Sequence, residues 1–103
     1  MKKTFQLQSQ DRHRDRVVEA VKHEIRKYIR RERRRELPSG ADYWDFDCRF
    51  GAAAESAEVV HLSTLTALID AVVMAQGQQF YLEVLARPAQ RQVRPHDATA
   101  GAA

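Results

Sequence analysis

The stretch from residue 44 to residue 50 constrains the fold more than any other part of the chain. Apolar and charged side chains alternate along it, in the order Trp44-Asp45-Phe46-Asp47-Cys48-Arg49-Phe50. Successive side chains of a β-strand point to opposite faces, so the pattern predicts a strand with one buried and one outward face. Such a strand needs neighbouring strands and a layer that covers its apolar face.

Three further segments carry strand signals. Polar and apolar residues alternate over residues 4–8, with Phe5 and Leu7 as the apolar pair, which predicts a short first strand. Residues 58–62 are short and β-branched, and they follow a small-residue loop, so we interpret them as the hairpin partner of the 44–50 strand. Over residues 80–87 an apolar face formed by the even-numbered residues alternates with a mixed face, up to Pro88, and this pattern predicts the last strand.

Two segments show helical spacing of apolar residues. The first, about 12–36, has Asp11 or Asp15 as a possible N-cap and ends before Pro38. Its length would be about 37 Å. Its apolar stripe ends at Ile29, so we expect the last two turns to project past the core. The second begins at the N-cap candidate Ser63 and stops at Gly77.

The element order β-α-β-β-α-β favours a ferredoxin-like α+β fold, with a four-stranded antiparallel sheet and both helices on one face. We assign residues 1–87 to this single domain. The ferredoxin-like strand order 4-1-3-2 would make the second and fourth strands opposite edges. Residues 88–103 contain two prolines and end in Ala-Thr-Ala-Gly-Ala-Ala, which predicts a disordered tail.

Charge is unevenly distributed in this chain of 103 residues with net charge +3. Residues 1–36 hold 13 Lys and Arg against 6 Asp and Glu, a net of +7, whereas residues 37–87 hold 2 against 7, a net of −5. The chain has no apolar run long enough to span a membrane and no secretory leader pattern. Its one cysteine, Cys48, cannot form an internal disulfide. We expect its thiol to be buried and unreactive, and we expect the protein to be cytoplasmic.

The segment Trp44-Asp45-Phe46-Asp47-Cys48-Arg49-Phe50-Gly51 resembles a family of small bacterial proteins classified as a domain of unknown function. The opening residues 2–5, the helix core 18–24, the basic run 31–34 and the residues 80–83 resemble the same family. The resemblance implies a stand-alone bacterial domain. It implies no activity, cofactor or site residue.

The basic first helix is the main functional candidate. Its residues 30–36 contain five arginines, and on a helical wheel a ridge of cations lies away from Val21 and Ile25. Contacts to nucleic-acid phosphates need only positive charge and reach. The first hypothesis is therefore a non-enzymatic module that binds RNA or DNA phosphates through Lys22, Arg26, Lys27, Arg30, Arg33 and Arg34.

Two other interpretations of the charge remain open. A helix with interspersed glutamates can be a solvated surface without any ligand. Alternatively, the oppositely charged halves favour a protein-interaction or self-association module, in which complementary surfaces meet a partner or a second copy.

An enzyme is the third hypothesis. Asp45 and Asp47 with His61 could supply metal ligands, but the predicted strand order separates Asp47 from Glu83 by about 14 Å. No nucleophilic triad or Gly-rich phosphate loop is visible, and we predict no cofactor. The central strands of the predicted order carry Thr4, Gln6 and Gln8 outward, so the open sheet face is not expected to stack bases.

Overall fold

Four strands and two helices follow one another in the order β-α-β-β-α-β. The computed structural model describes residues 1–8 and 13–91. The elements are β1 (Lys2–Gln6), α1 (Arg14–Arg33), β2 (Tyr43–Gly51), β3 (Glu58–Val60), α2 (Leu65–Met74) and β4 (Gln79–Ala89). The α+β class, the element order and the four-stranded antiparallel sheet with two helices are confirmed, consistent with the ferredoxin-like description.

The two longest strands occupy the centre of the sheet. β2 pairs with β4 from Tyr43 opposite Ala89 to Gly51 opposite Tyr81. β1 flanks β4 and β3 flanks β2, so the strand order is 1-4-2-3. The predicted order 4-1-3-2 is wrong because the two strands with the most apolar residues gain most from a position with neighbours on both sides, while short strands serve as edges.

The core lies between one face of this sheet and the two helices. The helices contribute buried residues that include Val21, Ile25 and Ile69. The phenyl ring of Phe80 stacks on Phe5 and Phe50, with centroid distances of 5.2 and 5.1 Å. The largest fully buried side chains belong to the sheet or its margin, and they are Phe80, Leu7, Leu82, Val84 and Cys48. No helix among the described residues has both the length and the apolar character of a membrane span.

The first helix is shorter than predicted at both ends. It begins at Arg14, where the His13 Nδ1 atom accepts the backbone N–H of Asp15 at 3.4 Å. His13 is thus the N-cap in place of Asp15, and the other candidate, Asp11, lies outside the described residues. The helix ends at Arg33, three residues before Glu36, so its length is about 30 Å.

The last strand is longer than predicted and runs through Pro88 to Ala89. The N–H of Val84 donates to Met1 O at 2.8 Å, so the even-numbered residues of β4 direct their backbone groups toward β1. The backbone nitrogen of Pro88 also faces the side of β1, but β1 does not extend that far along β4. The absence of an N–H group on Pro88 therefore removes no hydrogen bond between strands. Of the predicted tail, residues 92–103 lie outside the described residues.

The hairpin partner β3 has three residues in place of the predicted five. The chain leaves the sheet at His61, whose Nδ1 accepts the backbone N–H of Ser63 at 3.1 Å. A 3-10 turn at Leu62–Thr64 then leads directly into α2. The predicted N-cap Ser63 therefore lies inside this turn, which His61 caps. The N-cap residue of α2 itself is Thr64, and its side chain makes no capping hydrogen bond.

The second helix ends in a Schellman motif. The N–H of Gly77 donates to Val72 O at 2.8 Å and the N–H of Gln76 donates to Val73 O at 3.1 Å. Gln76 has a positive φ of 62°, a conformation that glycine adopts without steric cost. A Cβ atom on Gly77 would lie 2.5 Å from Val72 Cγ1 and 3.1 Å from Val72 O, so the chain passes Val72 too closely for any side chain.

These two neighbouring positions predict stability changes of opposite sign. We expect Gly77→Ala to lower the free energy of unfolding by about 1–3 kcal/mol, because the new methyl group must displace Val72. We expect Gln76→Gly to raise it by about 1 kcal/mol, because it relieves the left-handed backbone. Urea denaturation of the two variants checks both signs, and a neutral Gly77→Ala variant would contradict the close contact.

Candidate functional site

A groove of about 320 Å³ lies between α1 and α2. Its floor is apolar and includes Ile25 and Ile29 from α1 with Leu65 and Ile69 from α2. Its α1 wall is cationic and consists of Lys22, Arg26, Arg30 and Arg33. The groove thus combines a hydrophobic base with a row of positive charges along one side.

The helical repeat of α1 explains the composition of this wall. Val18, Val21 and Ile25 face the core, and the cations follow one another at intervals of three or four residues beside that stripe. Residues three or four positions apart share one face of a helix. The packing of the apolar stripe therefore directs the cations toward α2.

Lys22 differs from the three arginines in having a partner. Its Nζ atom lies 2.6 Å from Asp70 Oδ1 of α2, and the lysine side chain is only 14% exposed. This ion pair joins the two helices at one end of the groove. Lys22 therefore stabilises the packing of α1 against α2, and its charge is already paired with Asp70.

Arg26, Arg30 and Arg33 are available to an anion. Within residues 1–8 and 13–91, none of the three forms an ion pair with a carboxylate. All three are exposed. The hypothesis from the sequence required arginines that are not already neutralised by the protein, and these three satisfy it within the described residues.

Lys27 and Arg34 do not join the groove, although the sequence grouped them with its cations. Arg34 is the C-cap residue of α1. The remaining two arginines of the basic run, Arg31 and Arg35, lie 4.0 and 2.9 Å from the carboxylate of Glu32. The basic helix is thus divided into a groove-lining set and a set directed elsewhere.

The end of α1 does not project past the core as predicted. The indole N–H of Trp44 donates to Arg35 O at 2.9 Å, and the Arg35 guanidinium lies over the Trp44 ring at 4.9 Å. The Arg33 guanidinium lies over Phe46 at 5.5 Å from the ring centroid. Cation–π contacts with two aromatic side chains of β2 therefore hold this end against the sheet.

The two aspartates of β2 are bound by one arginine of β4. Arg87 Nη2 lies 2.9 Å from Asp45 and Nε lies 3.1 Å from Asp47. The hydrogen bond to Asp47 raises the pKa of Arg87. No group of three or more His, Cys, Asp or Glu side chains in the described part of the chain is placed to hold a metal ion. The carboxylates considered as metal ligands are thus arranged around a guanidinium group.

A polar cluster on the open sheet face was missed by sequence reasoning. Glu83 is buried there and accepts a hydrogen bond from Tyr81 Oη at 3.0 Å and a longer one from Arg49 Nη1 at 3.4 Å. Arg49 also donates to Ala57 O at 2.8 Å. Burial and the hydrogen bond to Glu83 raise the pKa of Tyr81. The opposite charges of Arg49 and Glu83 at outward strand positions were the available signal, but the predicted strand order kept them apart.

The family assignment follows from a comparison of the whole chain. The family model described as a family of unknown function, DUF6172, matches residues 1–95. The chain belongs to DUF6172. The resemblance to a family of unknown function is therefore confirmed at the level of the family. Comparisons with curated proteins and with solved structures gave no match.

Cys48 of this DUF6172 protein lies under the helices. It is 2% exposed, and burial raises the pKa of its thiol to about 11, with Asp47 and Asp45 adding to the effect. The thiolate is the reactive form, so a raised pKa suppresses nucleophilicity. This geometry supports the interpretation of Cys48 as a core residue.

We expect the Cys48 thiol of the folded protein to resist alkylation at pH 8 and to react freely in denaturant. The raised pKa also predicts a pH effect on stability, because between pH 9 and about 11 the folded state binds more protons than the unfolded state. The free energy of unfolding should fall as pH rises through this window, by up to about 3 kcal/mol. Denaturation of wild type and Cys48→Ala across that range checks this, and equal slopes would contradict it.

Proposed function

We propose that this protein is a non-enzymatic module that binds nucleic-acid phosphates in the groove between α1 and α2. The observation that carries the proposal is the row of Arg26, Arg30 and Arg33 on one wall, without a carboxylate partner among the described residues. We further propose that it acts in the bacterial cytoplasm, as the resemblance and the single cysteine led us to expect.

The spacing of the arginines suits a phosphate backbone. From residue 26 to residue 33 the helix rises about 10 Å. One strand of a duplex carries about three phosphates over that axial length. A guanidinium group can also bind a phosphate with two parallel hydrogen bonds, which a lysine ammonium cannot do.

The electrostatics of α1 favour an external anion over a fully solvated surface. Two glutamates of the helix are engaged away from the groove, since Glu24 binds Lys3 at 2.7 Å and Glu32 binds Arg35 at 2.9 Å. The arginines of the groove therefore repel one another without a nearby negative charge from these side chains. Binding of phosphates would relieve this repulsion and release counterions.

Salt-dependent binding tests this function. With about three phosphate contacts, we expect the logarithm of the affinity for generic RNA or duplex DNA to fall with a slope of about −2 to −3 against the logarithm of salt concentration. Arg30→Gln should weaken binding several-fold and reduce the slope by about one. Fluorescence anisotropy between about 50 and 200 mM salt provides the measurement.

Lys27→Gln is the matched control, because it removes one charge from the same helix outside the groove. Its affinity should stay close to that of wild type, whereas Arg26→Glu combined with Arg30→Glu should abolish binding. Equal losses in Lys27→Gln and Arg30→Gln would show that the groove is not the site. An absence of binding at low salt would end the proposal.

A protein-interaction or self-association module is the second candidate, and exposed apolar side chains on the open sheet face favour it. Val59 is 82% exposed and Leu85 is 42% exposed. Apolar side chains in such positions are candidates for contact with a partner or a second copy.

If the open face mediates self-association, wild type should show a concentration-dependent shift in sedimentation velocity, and Leu85→Glu should remain monomeric. The new carboxylate would lie in the interface without a partner, which opposes association. A strictly monomeric wild-type profile over the accessible concentration range would exclude self-association.

A further inference from the structure

A second cavity lies beside the groove, at the edge of β2. This cavity measures about 470 Å³ and shares Arg33 and Leu62 with the groove between the helices. Since these two residues line both cavities, the second cavity lies directly next to the end of the arginine row. We refer to the second cavity as the edge slot.

The edge slot exists because β3 is short. β3 pairs only with residues 48–50 of β2, and the chain then turns away at His61. Residues 43–47 of β2 therefore have no described strand on that side. The slot is lined by the aromatic and imidazole side chains of Tyr43, Trp44, Phe46 and His61. Asp45 and Asp47 also line it, and both carboxylates are paired with Arg87.

The backbone in the slot is poorly prepared to receive another strand. The alternation of hydrogen bonds across β2 and β4 directs the N–H of Phe46 toward the slot. That N–H already donates to Asp45 Oδ1 at 2.9 Å, and the Arg33 guanidinium lies over the Phe46 ring. A peptide that added to the edge of β2 would have to break the bond to Asp45, and such blocked edges oppose strand pairing.

The side chains in the slot offer contacts that a nucleic-acid base can use. Tyr43 is 40% exposed, and the guanidinium group of Arg33 also lines the slot. Aromatic rings and guanidinium planes are the usual stacking surfaces for unpaired bases. The Nδ1 atom of His61 accepts the N–H of Ser63, so the neutral ring carries its proton on Nε2, where it can donate to a base.

We propose that the protein binds single-stranded nucleic acid in preference to duplex, with the strand's phosphates along Arg26, Arg30 and Arg33 and an unstacked base in the edge slot. This inference rests on the proposed function. A duplex keeps its bases stacked and contacts only the arginine wall, whereas a single strand places a base beyond Arg33. The arginine row favours a polyanion as the ligand because their charges are opposite. The stacking surfaces at the end of the row favour a polyanion with unpaired bases, which is a single-stranded nucleic acid.

The experiment compares four probes of about 12 nucleotides and one sequence, namely single-stranded RNA, single-stranded DNA, the duplex and an abasic strand. Trp44 is the only tryptophan of the chain, so its fluorescence reports on the slot directly. We expect the single strands to bind about tenfold more tightly than the duplex and to quench Trp44, and the abasic strand to lose about tenfold in affinity without quenching.

His61→Ser keeps a side-chain oxygen that can cap the turn at Ser63 but removes the Nε2 donor. This variant should lose most of the preference for single strands while its duplex affinity stays unchanged. His23→Ser is the matched control, because His23 is an exposed histidine of α1 outside both cavities. Equal affinity for duplex, single strand and abasic strand would overturn the inference and leave the proposed function standing. If none of the four probes binds at low salt, both proposals fall.

Discussion

The pairing of β2 with β4 determines where every other element can lie. The register from Tyr43 opposite Ala89 to Gly51 opposite Tyr81 places Phe46, Cys48, Leu82 and Val84 on a single apolar face. Burial of such side chains is the main source of stability in a domain of this size, and each contributes roughly 1.5–3 kcal/mol. The helices must cover this face, and only the outer edges of β2 and β4 remain for β1 and β3.

The same pairing links the core to the candidate site. α1 covers the apolar face with Val18, Val21 and Ile25, and this fixes the rotation of the helix about its axis. The cations next to that stripe then face α2, while Trp44 and Phe46 of β2 contact Arg35 and Arg33 at the end of the helix. The position of the arginine row is therefore a consequence of core packing.

The sequence predicts the elements and the buried faces well because both depend on local periodicity. It places the 44–50 strand and the core stripe of α1 correctly, and its stop at Gly77 lies three residues beyond the observed end of α2 at Met74. The strand order cannot be predicted in this way. With the same sequence of elements, the order 4-1-3-2 and the observed order 1-4-2-3 both give a fully antiparallel sheet. A period of two shows which side of a strand is buried, but it does not show which strand lies beside it.

The candidate site was predictable to a similar extent. The helical wheel identified Lys22, Arg26, Arg30 and Arg33 as surface cations, but it grouped them with Lys27 and Arg34. One residue changes the direction of a side chain by about 100°, so the groove set is defined only by where α2 packs. The ion pair of Lys22 with Asp70 also depends on that packing and has no local signal.

The segment from Trp44 to Gly51 carries structural contacts, which bears on where function lies in this family. Trp44 anchors the end of α1, Asp45 binds Arg87 and blocks the free edge at Phe46, and Arg49 joins the buried Glu83. A Cβ atom on Gly51 would lie 2.7 Å from the backbone of Ala57, so the loop after β2 can fold back only over a glycine. Because the charged side chains of this segment are paired within the protein, the phosphate contacts that we propose fall to Arg26, Arg30 and Arg33 of α1, which have no carboxylate partner among the described residues.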